Sequence, residues 1–307
     1  QDPCVMPKAR KNASEIAGMA EAHLRDGVAV VNFLSWFDAQ DKTTLTEIDV
    51  VTKLEEYRRA TNALLEISFD TIAGAGPNGA IMHYRVTEET NRPLQSGDLM
   101  VLDSGGQYAD GTTDITRTLP IGEVSEDAKV AFTRVLQGMI AVSRMRFPKG
   151  VAGSHIEAIG RLPLWMAGQD FDHGLGHGVG AYLCVHEGPQ RLSRVSDTPL
   201  EVGMILSNEP GYYRPGAFGI RIENLIVVEE APALPGGDDH REMLQFRNLT
   251  FAPIDRGMVV VDLLSEAELD WLNAYHATCR QVLSPRLAPE QQMWLDAACA
   301  ALSHSTP

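Results

Sequence analysis

Paired cysteines are missing from this sequence. Only four occur in 307 residues, Cys4, Cys184, Cys279 and Cys299, and no two stand at C-x-x-C spacing. That speaks against a zinc knuckle or a dithiol redox motif and reads as reduced thiols in a cytoplasmic protein. No apolar run reaches the roughly 18 residues of a membrane span, so no membrane partner is expected. Basic residues are short as well. Lys and Arg number 26 against 41 Asp and Glu, for a formal net charge of −15. Such a surface does not neutralise phosphates, which argues against a nucleic-acid partner. No low-complexity linker forces a domain cut, and no signal-peptide pattern is visible. The chain opens QDPCVMPK without an initiator methionine and is expected to be a piece of a longer protein.

What is present is a chain that alternates helical and sheet-like blocks. From Asn12, a capping residue, Ile16, Met19, Ala20, Leu24, Val28, Val31 and Leu34 recur near helical spacing. A second helix is expected near Thr44, with Thr44 and Glu47 as its capping box. After the turn signal Pro77-Asn78-Gly79, AIMHYRV reads as a strand. DLMVLDSGGQY and GTTDITRTL read as two strands joined around Asp110-Gly111. A long helix follows Ser125, and another, disturbed by Pro163, follows Ala152. GMILSNEPGYY and FGIRIENLIVVEE then make a second hairpin around Pro215-Gly216, and the tail from about Ser265 is helical. The repeated order hints at two related halves that face each other.

Between the halves lies HGLGHGVG, residues 173–180. Glycines in a helix interior cost roughly 0.8–1 kcal/mol each, so a helical pair of metal-binding histidines is improbable here. In an extended strand, residues four apart share a face about 13 Å apart. His173 and His177 therefore look the same way from a strand whose glycines admit a ligand or a neighbouring backbone.

Asp103 and Asp114 stand on the two arms of the first hairpin, and Glu209 and Glu223 on those of the second. Each alone reads as an exposed strand residue or a salt-bridge partner. Together, facing a histidine strand, they form a ligand set. Four converging carboxylates need compensation, which two divalent cations supply. One imidazole among oxygen ligands suits Mn²⁺, Co²⁺, Zn²⁺ or Fe²⁺ better than Ca²⁺. A metal pair of this kind is a standard hydrolytic device.

DSGGQYADGTTDITRT, HGLGHGVGAYLCVHEGP, NEPGYY and GIRIEN resemble the ligand motifs of the pita-bread metallopeptidases. GPNGAIMHY, GAFGIRIEN and WLNAYHATC bring the resemblance to the aminopeptidase P branch, close to its cytosolic type. It covers nearly the whole chain. It implies an α+β pita-bread fold, with residues 1–264 as the catalytic domain and 265–307 as a helical tail packed on it. The family's upstream domains are expected to be absent from this chain. It implies Asp103, Asp114, His177, Glu209 and Glu223 as ligands of two divalent ions, most readily Mn²⁺, with Co²⁺ or Zn²⁺ as alternatives. It implies His83, His173 and His186 as active-site histidines that bind no metal, and Glu209 as the proton-transferring carboxylate. Tyr213 and Arg221 match residues beside the site and are expected, with His83, His173 and His186, to bind the substrate. Ser207 departs from the threonine expected there but keeps the hydroxyl.

The implied reaction is hydrolysis of an N-terminal Xaa-Pro bond, by a cytoplasmic homodimer acting on peptides with proline at the second position. Two rivals remain. A prolidase would cleave Xaa-Pro dipeptides and needs a cation for the proline carboxylate. A catalytically inactive peptide-binding module would have lost ligands, and all five are present. The tail's Trp271, Leu272, Trp294 and Leu295 are candidates for a dimer face, or else pack on their own domain.

Overall fold

A computed structural model describes residues 2–182 and 184–304. In chain order it contains helices α1 (Val5–Ala9), α2 (Ala13–Asp38) and α3 (Glu47–Arg59), then strands β1 (Leu64–Ile67), β2 (Ile72–Ala75), β3 (Leu99–Ser104), β4 (Gly106–Tyr108), β5 (Gly111–Thr112) and β6 (Ile115–Pro120). Helix α4 (Glu126–Ser143), strand β7 (Arg146–Pro148) and helix α5 (Gly153–Trp165) follow. Next come β8 (Gly176–Gly178), β9 (Glu187–Leu192), β10 (Ile205–Asn208), β11 (Gly211–Arg214), β12 (Phe218–Arg221), β13 (Asn224–Glu230) and β14 (Met243–Asn248). Helices α6 (Glu266–Leu283) and α7 (Pro289–Ala298) close the order.

Local capping explains where the long helices start. The Asn12 side chain accepts from the amides of Ser14 and Glu15, and Glu15 accepts from the Asn12 amide. Ser265 and Glu268 form the same reciprocal box at α6, while at α4 the Ser125 side chain alone accepts from the Ala128 amide. Helix α3 begins later than expected. Its box is Thr46 with Asp49, while Thr44 lies in a 3₁₀ turn capped by Asp41. Glu47 is no cap partner because it is buried and committed elsewhere: its carboxylate accepts from the Ala75 amide, Asn78 Nδ2 and the Tyr84 hydroxyl.

That commitment also corrects the expected strand at AIMHYRV. Gly76–Ala80 is a 3₁₀ turn and the chain then turns on without pairing, because Asn78 and Tyr84 are drawn back to Glu47. Pairing happens upstream instead, where β2 lies against β3 with Ile72 opposite Asp103.

Each expected hairpin is real but broken near its carboxylates. In the first, β3 pairs with β6 and continues, past a break at Gly105, as β4 paired with β5. A Cβ on Gly105 would lie 1.9 Å from the Thr113 carbonyl oxygen, so only glycine allows the two arms to cross there. In the second, β10 pairs with β13 and continues past Glu209-Pro210 as β11 paired with β12. Sheets run in the orders β2-β3-β6, β1-β4-β5 and β7-β14-β13-β10-β8-β9, and every pairing is antiparallel. The halves meet where Thr116 bridges Glu223 and where the Thr118 hydroxyl donates to the Arg221 carbonyl at 2.9 Å.

Helices cover the outer faces. Helix α4 packs on α5, α6 and β12, and shares one apolar core with β10 and β13. Helices α2 and α3 cover β2, β3 and β6 in a second core. Helix α5 runs through Pro163 and ends two residues beyond it. Leu272 and Leu295 of the tail are buried, and Trp271 and Trp294 pack against the same apolar clusters. Leu272 and Leu295 are thus committed to their own domain, whereas Trp271 and Trp294 are only partly buried. All four cysteines are free thiols, with Cys279 and Cys299 buried.

Candidate metal centre and active site

The expected extended strand at 173–180 shrinks to Gly176–Gly178. His177 lies in it and His173 stands in the irregular segment before it. A Cβ on Gly176 would come within 1.9 Å of the Ser207 carbonyl oxygen. The glycine thus lets β8 press against β10 and brings His177 to the carboxylates at the ends of both hairpins.

There a cavity of about 420 Å³ is lined by Asp103, Asp114, His177, Glu209 and Glu223, together with His83, His173, His186 and Arg221. The ligand atoms of Asp114, His177 and Glu223 all lie within 4.8 Å of one another. His177 Nε2 is 3.5 Å from Asp114 Oδ2 and 3.4 Å from Glu209 Oε1. Its Nδ1 is 2.9 Å from the Gly178 carbonyl. Donation from Nδ1 to that carbonyl leaves Nε2 free for a metal. Glu209 Oε1 accepts from the Ser207 hydroxyl at 2.9 Å, and Glu223 Oε2 from the Thr116 hydroxyl at 2.7 Å. Asp103 Oδ2 accepts from Arg221 Nη2 at 2.7 Å, while its Oδ1 is buried without a hydrogen-bond partner.

The electrostatics of the cavity follow from burial and from the crowding of its carboxylates. Burial, joined by the carboxylates of Asp114, Glu209 and Asp103, holds Glu223 well above the usual carboxylate range. Burial likewise raises Asp114, and lifts Glu209 to about 7 despite His177 and Arg221. For His177, burial alone would lower the value, but Asp114 and Glu209 carry it up to about 9. Left to themselves these groups take up protons. Divalent cations would let the carboxylates ionise and would displace the His177 proton, so the donor set fits two such ions. The orphaned Asp103 Oδ1 fits the same reading.

The surrounding residues separate into two kinds. His173 is neutral, because burial and then the Arg221 charge lower it to about 3. Its approach to Glu209, 4.0 Å from Nδ1 to Oε2, is therefore not an ion pair. Both its ring nitrogens are engaged, Nδ1 with the Gly174 carbonyl at 2.7 Å and Nε2 with the Tyr213 hydroxyl at 2.8 Å. Tyr213 stands one layer behind the cavity lining, where Arg221 Nη1 donates to its hydroxyl at 2.7 Å. His83 and His186, in contrast, make no ring-nitrogen hydrogen bond among the described residues, although the His186 ring meets that of His177 at 4.3 Å. Burial, and then the His177 charge, lowers His186.

The cavity also takes in residues that no sequence motif singled out. Phe69, Asp70, Ile72, Arg85, Arg191 and Ser193 line it. Arg85 pairs with Asp70 at 2.6 Å. Arg191 stands opposite His177 in the β8–β9 pairing, and its side chain makes no hydrogen bond or ion pair among the described residues. Only cross-strand register could have found it, and the register was not readable before the fold.

A model of metallopeptidase family M24 matches residues 17–230, and one of the C-terminal region of that family matches 242–302. Aminopeptidase P2 of Arabidopsis thaliana is 48% identical over 302 residues, which are 96% of this chain and 42% of that protein. The crystal structure of an X-prolyl aminopeptidase from Caenorhabditis elegans, described as a cytosolic enzyme with a di-nuclear active site, superposes with a TM-score of 0.93. It is 36% identical and matches 98% of this chain and 50% of that one. The prolidase from Pyrococcus furiosus superposes with a TM-score of 0.68 at 27% identity, over 81% of this chain and 67% of that one. The architecture is the α+β pita-bread fold of these enzymes. The chain spans about half the length of the curated relatives it matches.

Proposed function

The chain belongs to metallopeptidase family M24, and from that premise we propose that it hydrolyses the bond between an N-terminal residue and a following proline. The observation that carries this reading is the buried cavity that gathers Asp103, Asp114, His177, Glu209 and Glu223 beside a neutral His173. Those five residues would hold two divalent ions, of which Mn²⁺ suits one imidazole among carboxylates well. When bound, the ions would supply a water of lowered pKa and would polarise the scissile carbonyl.

The chain's own residues supply the rest. Glu209 sits at the break after β10 with one oxygen held by Ser207, so its carboxylate can take the proton of the attacking water and pass it to the departing proline nitrogen. His83 and His186, whose ring nitrogens make no hydrogen bond among the described residues, are placed to hold the substrate and the developing oxyanion. His173 meets the substrate as a unit with Tyr213 and Arg221, since neither of its ring nitrogens is free. An Xaa-Pro amide has no N–H, and the site is not asked to accept one.

A dipeptidase reading has one observation in its favour. The Arg191 side chain, on the cavity wall, has no ion-pair partner among the described residues and is the kind of group a proline carboxylate would meet. Purified chain should be stripped with a chelator, resupplied with Mn²⁺, and given Xaa-Pro-Yaa, Xaa-Pro and Xaa-Ala-Yaa peptides. Metal-dependent cleavage of the first is expected. Cleavage of the dipeptide alone would favour the prolidase reading, and activity in metal-free protein would overturn both.

A cytoplasmic homodimer completes the proposal. Among the described residues no helix is long and apolar enough to cross a membrane. Leu272 and Leu295 of the tail are buried within the domain, while Trp271 and Trp294 stay partly exposed and are the tail residues a dimer face would use. Light scattering at micromolar concentration decides the state. The boundary near residue 264 is part of the same reading, with the tail as an outer layer of the catalytic domain.

A further inference from the structure

Arg161, near the C-terminal end of α5, is 2% exposed and has no part in the chemistry above. A charge this deep needs an acidic partner. Glu157, one turn earlier, provides it by accepting from Nε at 3.0 Å and Nη2 at 2.5 Å. The remaining donors all go to one short stretch, residues 170–173. Nη1 donates to Asp170 Oδ1 at 2.7 Å and to the Phe171 carbonyl at 2.5 Å, and Nη2 donates to the His173 carbonyl at 2.6 Å. The guanidinium also lies 3.8 Å over the Phe171 ring, whose centroid is 4.7 Å from that of the His173 imidazole.

This stretch belongs to no helix or strand, so no ladder of backbone hydrogen bonds holds it. The imidazole is fixed from one side by the Gly174 carbonyl and the Tyr213 hydroxyl. Phe171 and the path of its own backbone also hold it, and Arg161 grips both. We propose that Arg161 is a positioning residue for His173: its fork clamps the carbonyls of residues 171 and 173 and presses Phe171 against the imidazole, aiming the ring into the cavity. The inference rests on the reading of His173 as a substrate-contacting group in Xaa-Pro hydrolysis. Arginine is needed because its planar fork meets several acceptors at once, which a lysine ammonium on a flexible stem does not reproduce.

The test uses the full chain loaded with Mn²⁺, with Arg161→Lys, Phe171→Leu and His173→Ala singly and each of the first two combined with the third. Lysine keeps a charge against Glu157. The leucine variant leaves the Arg161–Glu157 pair intact, so it carries the test if Arg161→Lys does not give a cooperative melt. Each single variant is expected to lower kcat roughly 10-fold or more, the scale of lost outer-layer contacts, with metal content retained and KM changed less. In the His173→Ala background neither substitution should lower kcat further. A second readout needs no turnover: with ¹⁵N-labelled histidine and diamagnetic Zn²⁺ in place of Mn²⁺, the His173 ring resonances should shift or broaden in both variants while those of His186 stay. Equal losses with and without His173, or unchanged His173 resonances, would overturn the inference. A wild-type chain that cleaves no Xaa-Pro peptide would overturn the proposed function instead, and the resonances would still decide the role of Arg161.

Discussion

Two histidines four residues apart differ in what their rings touch. His177 directs Nε2 at Asp114 and Glu209, whereas both nitrogens of His173 are spent on Gly174 and Tyr213. The expected outcome of His177→Ala is loss of bound metal together with activity, since it removes the one nitrogen donor of the set. His173→Ala should retain its metal and lose turnover, about 10–100-fold on the scale of outer-layer contacts. Elemental analysis of the two variants after dialysis checks this. The reverse pattern of metal contents would mean that the wrong histidine has been taken as the ligand.

At the scale of the element, the site depends on how closely β8 approaches β10. The contact is made at Gly176, where any Cβ meets the Ser207 carbonyl. The same Ser207 carries a hydroxyl that accepts from the His177 amide and donates to Glu209, so displacing it disturbs two candidate ligands together. Gly176→Ala should therefore destabilise the chain by about 1–3 kcal/mol, the ordinary range for overpacking, and should weaken metal binding as well. Thermal melts with and without Mn²⁺ separate the effects. A variant less stable by this amount that binds metal with wild-type affinity would show that the strands can yield without moving the donors.

For the whole molecule, the chief consequence is a pH dependence of stability that metal removes. In the metal-free chain Glu209 titrates at about 7 against its ordinary 4.5, and His177 at about 9 against 6.5. The folded state therefore holds more protons than the unfolded state, and stability falls as pH rises. Glu209 contributes this fall between about 4.5 and 7, and His177 from 6.5 to about 9. Cations that replace those protons should abolish the decline, and saturation at 100 times Kd adds about 2.7 kcal/mol. Melting midpoints measured from pH 5 to 9, with chelator and with Mn²⁺, are expected to diverge as pH rises. Parallel curves would mean that these groups do not bind the metal.

The sequence alone determined the features that rest on local chemistry. Asn12, Ser125 and Ser265 cap their helices because a side-chain oxygen three residues from an amide needs nothing distant to act. Two hairpins with a carboxylate on each arm were visible from alternation and turn residues, and with them the candidate ligands and the family. Tertiary structure decided whatever depends on a partner far along the chain. Glu47 looks like a cap partner in sequence, yet it serves Ala75, Asn78 and Tyr84, and so the segment bearing His83 folds back as a turn where a strand was expected. Tyr213 lies behind His173, Arg191 faces the cavity across from His177, and Arg161 reaches the carbonyl of His173 from another element. Residue type and spacing along one segment carry no record of such meetings. They arise only when strands are registered and helices packed, because a buried charge or an unpaired amide then takes the partner that the fold brings within reach.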